Sequence, residues 1–148
     1  MSNSSDGEER PLDVIADSLD QSNISCNYLD LENVKETLPN INGKLCALPF
    51  NIHSLAAKFN QLKDIISSLK ENNITVHCIL LCETFLNEQN STIFNIDGYD
   101  FVYKNRSKGS RGGVAIYILK SLTYIMREDL AINVENEFES IFVEIKNT

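Results

Sequence analysis

The chain has 148 residues, 43% of them hydrophobic, enough for one domain with a real core. No apolar run approaches the roughly 20 residues that cross a bilayer, and the polar start from Met1 to Arg10 lacks the apolar stretch of a secretory signal. The expectation is therefore an intracellular protein with no membrane partner and with reduced cysteines. The net charge of −8 is unevenly placed, because residues 1–40 hold nine acidic and two basic side chains and leave only −1 for residues 41–148.

Residues 1–25 are rich in Ser, Asn, Asp and Glu, which favours a disordered segment in which Val14, Ile15, Ala16 and Leu19 make one amphipathic turn. Residues 28–38 place Tyr28, Leu31, Val34 and Leu38 at helical spacing, and Pro39 with Asn42-Gly43 ends that helix. The reading is an acidic leader over 1–40, partly disordered with one short helix, followed by a domain over 41–148. Residues 45–52 form the first strand, and Pro49, which lacks a backbone donor, puts that strand at an edge or at a bulge. Residues 56–70 carry Phe59, Leu62, Ile65, Ile66 and Leu69 on one face with Lys58, Lys63 and Lys70 off it, an amphipathic helix that Asn72-Asn73 ends.

The apolar run from Val76 to Cys82 is too short for most helices and reads as a strand buried on both faces. Strand, helix, strand makes a βαβ unit with parallel strands, so Asn51 and Glu83 fall near the same sheet edge. Ligands in open α/β sheets collect outside the carboxyl ends of strands. Glu83 is thus a candidate metal ligand or acid/base group, or simply the first solvated residue after a buried run. Cys78, Cys82 and a His lack the second ligand pair that a zinc site needs.

Residues 87–95 are polar and read as a loop or short helix. Residues 99–105, with Phe101 and Tyr103 on one face, and residues 114–119 flank turn chemistry at Ser107 to Gly113, an antiparallel hairpin. From Phe101 to Lys120 there are five basic residues and no acidic one. Such a patch can meet phosphate or can be an ordinary solvated hairpin. Residues 122–126 suit a short strand, and residues 138–145 a final one with Ile141, Val143 and Ile145 on one face and Phe138 and Phe142 on the other. No covering element follows, so the sequence reads as cut short.

Phe50-Asn51-Ile52-His53-Ser54-Leu55, Cys82-Glu83-Thr84-Phe85-Leu86, Gly98-Tyr99, Arg106 and Arg111-Gly112-Gly113-Val114-Ala115-Ile116-Tyr117-Ile118 stand in the order and spacing of the endonuclease/exonuclease/phosphatase family. The chain most resembles, over residues 45–148, the apurinic-endonuclease-like domain of non-LTR retrotransposons. The resemblance implies a four-layer α/β sandwich of two packed sheets flanked by helices, of which this chain is the N-terminal half. It implies a Mg2+-dependent DNA endonuclease, nuclear, with Glu83 as metal-binding carboxylate and Asn51 as the polar group beside metal and scissile phosphate. Lys104, Arg106, Lys108 and Arg111 become candidate phosphate contacts. Related domains often carry Arg in place of His53 and one more Gly in the Arg-Gly-Gly run. The family's later motifs, a Tyr, an Asp-x-Asn pair and a terminal Ser-Asp-His, have no match here, which implies a chain inactive by itself. The other reading is a non-catalytic module of the same origin that binds nucleic acid or protein.

Overall fold

A computed structural model describes residues 44–90, 93–106, 111–134 and 137–146. The leader, with its two helical expectations and Cys26, lies outside the described residues, as does Lys108 in the hairpin turn. The order is β1 (Ala47–Asn51), α1 (Leu55–Glu71), β2 (Cys78–Cys82), β3 (Tyr99–Lys104), β4 (Val114–Leu119), β5 (Tyr124–Met126), a 3-10 turn (Glu128–Leu130) and β6 (Val143–Ile145). Four strands form one sheet in the order β1-β2-β4-β3, and β5 and β6 form a second, two-stranded sheet. The protein is thus mixed α/β, with one α-helix among the described residues.

The βαβ expectation holds: β1 runs parallel to β2 and directly beside it, with Asn51 opposite Cys82. β1 is an edge strand, where Pro49 leaves at most the outer rim without a donor. β3 and β4 are antiparallel, as the turn chemistry between them predicts. Residues 87–90 and 93–98 contain turns and no helix among the described residues.

Helix α1 has both of its ends written locally. Ser54 caps the start, its Oγ accepting from Ala57 N at 3.4 Å. At the other end Asn73 takes a left-handed φ of 59°, while Asn73 N donates to Lys70 O at 3.0 Å and Ile74 N to Leu69 O at 2.9 Å. That pair of bonds is a Schellman ending with Asn in the position glycine usually fills. Leu55, Leu62, Ile66 and Leu69 are the buried face, and they pack on Ile79 and Leu81 of β2 and on Ala115 and Tyr117 of β4. Burying each such aliphatic side chain is worth about 1.5–3 kcal/mol. Lys63 lies off this stripe, its ammonium 4.9 Å from the Phe59 ring centre.

The alternate residues of the central strands, Cys78, Ile116 and Ile118, face the other way, against Tyr124, Ile141, Val143 and Ile145. The helix therefore covers one face of the main sheet and the small sheet the other. Burial of β2 on both faces is incomplete, since Leu80 is 37% exposed and Cys82 is exposed as well. The final strand is also shorter than its apolar alternation suggests, only Val143–Ile145. Upstream of it, polar side chains replace the ladder: Ser140 Oγ donates to Ile132 O at 2.6 Å and accepts from Ile132 N at 2.9 Å, and Ser140 N donates to Asn133 Oδ1 at 3.0 Å. These bonds tie Ser140 to Ile132 and Asn133 rather than to a strand ladder, and Phe138 and Phe142 stay 46% and 43% exposed. No described helix is long and apolar enough to cross a membrane.

Candidate functional site

Register brings the site together. Asn51 lies opposite Cys82, Cys82 opposite Val114, and Val114 opposite Lys104, so the residues just beyond this row meet at one end of the sheet. Asn51 itself is exposed there. Three loops then knit together through backbone bonds. Ser54 N donates to Glu83 O and Leu55 N to Thr84 O, each at 2.9 Å, while Thr84 N donates to Gly113 O at 3.2 Å and Phe85 N to Gly112 O at 3.0 Å. The segment 83–85 is thereby clamped between the start of α1 and the turn before β4. The His53 and Phe85 rings meet edge to face with centres 5.0 Å apart.

The clamp is conformationally costly. His53, Ser54, Glu83 and Phe85 all have positive φ, between 45° and 88°, and a side chain in that region costs about 1–2 kcal/mol per residue. Gly112 and Gly113 take φ of 84° and 83°, and here glycine is required twice over. A Cβ on Gly112 would lie 2.6 Å from Arg106 Cζ, and one on Gly113 would lie 2.6 Å from Thr84 Oγ1. Strained, non-glycine backbone of this kind persists where surrounding structure over-determines it, and such residues cluster at functional sites.

The successive amides of these glycines each hold a carboxylate oxygen. Gly112 N donates to Glu83 Oε2 at 3.3 Å, and Gly113 N to Glu139 Oε2 at 3.0 Å. Arg106 forks onto Glu139, Nε to Oε1 at 2.5 Å and Nη2 to Oε2 at 3.3 Å, and Nη2 also donates to Glu137 O at 3.2 Å. The Glu139 side chain is 9% exposed and that of Arg106 21%. Burial pushes the Glu139 carboxyl up, but the hydrogen bond from Arg106, the Gly113 N–H and the guanidinium charge outweigh it, and the net shift is downward. The hydrogen bond to Glu139 raises Arg106 in turn, with the Glu139 and Glu83 charges adding to it against desolvation.

Asn51 and Glu83 are thus brought to one sheet end, as the βαβ order predicts. Lys104 and Arg111 are exposed at the same end. Arg106 is close by but committed to Glu139. Sequence reasoning missed Glu139 and Thr84. The one signal for Glu139 was that residues 101–120 hold no acid, so any cation there that pairs must do so at a distance. Thr84 is 1% exposed, and its Oγ1 has no hydrogen-bond partner among the described residues.

No protein-family model matches the chain, and no curated protein is similar to it in sequence. Among the described residues no three His, Cys, Asp or Glu side chains group as metal ligands. Glu83 is half-buried, and its Oε2 accepts from Gly112 N while its Oε1 accepts no hydrogen bond from the described residues.

Proposed function

We propose that residues 45–148 form the metal- and phosphate-binding half of a Mg2+-dependent DNA endonuclease of the endonuclease/exonuclease/phosphatase type, the two sheets belonging to its four-layer sandwich. The observation that carries this reading is convergence. Three stretches of the resemblance, around Asn51, Glu83 and Arg111-Gly112-Gly113, span 62 positions in sequence, yet meet at one sheet end, Asn51 by its register opposite Cys82 and Gly112 by its bond to Glu83.

The donor set fits the cation. Mg2+ is a hard ion commonly held by one or two carboxylates, with water and substrate phosphate oxygens completing its shell. Glu83 would hold it, and when bound it supplies Lewis acidity to a phosphoryl oxygen and stabilises the leaving oxygen. Asn51 offers an exposed amide to the phosphate. Lys104 and Arg111 give the positive field, while Arg106 can reach a phosphate only by leaving Glu139. No Asp-x-Asn or Ser-Asp-His occurs in the 148 residues, so these residues alone bind without turnover, because removing one partner of a catalytic unit costs orders of magnitude in rate.

The test pairs DNA binding with nicking of supercoiled plasmid in Mg2+. Salt-sensitive binding, weakened by Lys104→Ala and Arg111→Ala, without nicking is expected. Nicking abolished by EDTA and by Glu83→Ala would overturn the claim of inactivity, and absence of DNA binding would overturn the nucleic-acid reading. A second reading, an interaction module, draws on the exposed Ile132, Val134, Phe138 and Phe142 between β5 and β6. DNA binding indifferent to Glu83→Ala and Mg2+ would favour it.

A further inference from the structure

Glu83 shares its surroundings with the Arg106 guanidinium, whose charge it senses without bonding to it. The guanidinium of Arg106 lies against Gly112, close enough that a Cβ on Gly112 would be 2.6 Å from Arg106 Cζ, and the N–H of that same glycine holds Glu83 Oε2. Only one residue's backbone therefore stands between the guanidinium and the Glu83 carboxylate. Glu139 takes both Nε and Nη2 of Arg106, while its Oε2 accepts from the next amide, Gly113 N.

We propose that Glu139 is a positioning residue that holds Arg106 and the Gly112–Gly113 turn in place, leaving the Glu83 carboxylate open to a divalent cation. A planar guanidinium fork binds a carboxylate bidentately, so an Arg106 released from Glu139 takes Glu83 as its next partner and blocks it. The proposal rests on Glu83 being a cation ligand, but its first half, the tethering of Arg106, stands apart from that reading. Groups that orient a metal ligand from behind typically change metal affinity by about 10–100-fold when removed.

The experiment uses the full chain, MgCl2 as the probe, and NMR. Glu139→Gln keeps an acceptor for Gly113 N and loses the charge. It is expected to weaken Glu83-dependent Mg2+ binding by about 10–100-fold. The double variant Glu139→Gln/Arg106→Gln is expected to recover most of that loss, because the competitor is gone. A merely structural Glu139 gives no such recovery, and a double variant no better than the single one overturns the proposal. The Arg106 Nε–H signal gives a reading without metal. In the wild type it is expected to move only slightly with Glu83→Gln, by the loss of a nearby charge, and in Glu139→Gln to move several-fold more when Glu83→Gln is added; an equal or smaller movement there overturns the proposal as well. If Glu139→Gln does not fold, Glu139→Asp, which withdraws the carboxylate by one methylene, should shift both readouts in the same direction. Wild-type protein without any Glu83-dependent Mg2+ response would instead sink the reading of Glu83 as a ligand, and the Arg106 signal would still decide the tether.

Discussion

The two ends of the main sheet are built on different terms. At the amino end of β2, His77 Nδ1 accepts from Cys46 N at 3.0 Å, the Tyr99 hydroxyl donates to Val76 O at 2.7 Å, and Lys120 N donates to Gly98 O at 2.9 Å. The positive φ angles there fall on Gly98 and on Asn73, residue types that accept them readily. A groove of about 860 Å3 opens at this end between Lys63, Lys70, Thr75 and Asp97, with its charges mixed. At the carboxyl end, four non-glycine residues hold positive φ. Both buried polar atoms that lack a partner among the described residues, Thr84 Oγ1 and Asn105 Oδ1, lie there too. One end is settled for stability; the other carries strain and unspent polarity, which is where a site that binds something is expected.

Substitutions in the core and at the site should therefore separate. The largest stability loss is expected from Leu62→Ala, a 2% exposed side chain on the helix face, at about 2–5 kcal/mol in urea unfolding. Glu83→Gln should leave the urea midpoint almost unmoved, and a loss comparable to that of Leu62→Ala would break the comparison. Next comes Gly113→Ala, which forces a side chain onto a φ of 83° and into Thr84 Oγ1, at about 1–3 kcal/mol. Thr84→Ala should relieve part of that cost, so a double-mutant cycle is expected to show coupling, and simple additivity would contradict the contact.

Acid and alkali should probe the two regions in opposite directions. Tyr117, fully buried and donating to Phe94 O at 2.7 Å, has its hydroxyl pushed well above the ordinary tyrosine value of 10.0 by burial. Its contribution is complete below that value and is lost as pH rises through it towards the raised one. Glu139 is shifted downward from an ordinary 4.5, so its contribution is complete above 4.5 and is lost as pH falls below it. The stability advantage of wild type over Glu139→Gln should therefore shrink on acidification below that point, while Tyr117→Phe should flatten the alkaline limb. The smallest effect is expected at the exposed network of Arg127 with Asp129 and Glu144. Asp129→Asn should give no measurable change in the urea midpoint, because such pairs are screened by water.

The settled parts of the molecule are also the ones that sequence made legible. The period of Phe59, Leu62, Ile66 and Leu69 located α1, Pro49 narrowed its strand to an edge or a bulge, of which the edge forms, and the Gly-rich turn predicted the β3–β4 hairpin, because each is a local rule. Asn51 and Glu83 could be placed at one edge because the βαβ order constrains direction. The tether could not be read, because Arg106 and Glu139 are 33 residues apart and meet only through the fold. The same distance effect shortened the final strand. Alternation at residues 138–145 favours a strand, but Ser140 and Glu139 spend their hydrogen bonds on other segments.

The central claim is that the carboxyl end of the sheet, through Glu83, takes a divalent cation. The most direct measurement is a MgCl2 titration of the 15N-labelled chain, followed amide by amide, in wild type and in Glu83→Gln. The account predicts saturable shifts confined to residues 51–54, 83–85 and 111–113 that vanish in the variant while its other signals stay in place. Shifts that persist in Glu83→Gln, or that fall only on the acidic residues 1–40, would contradict it.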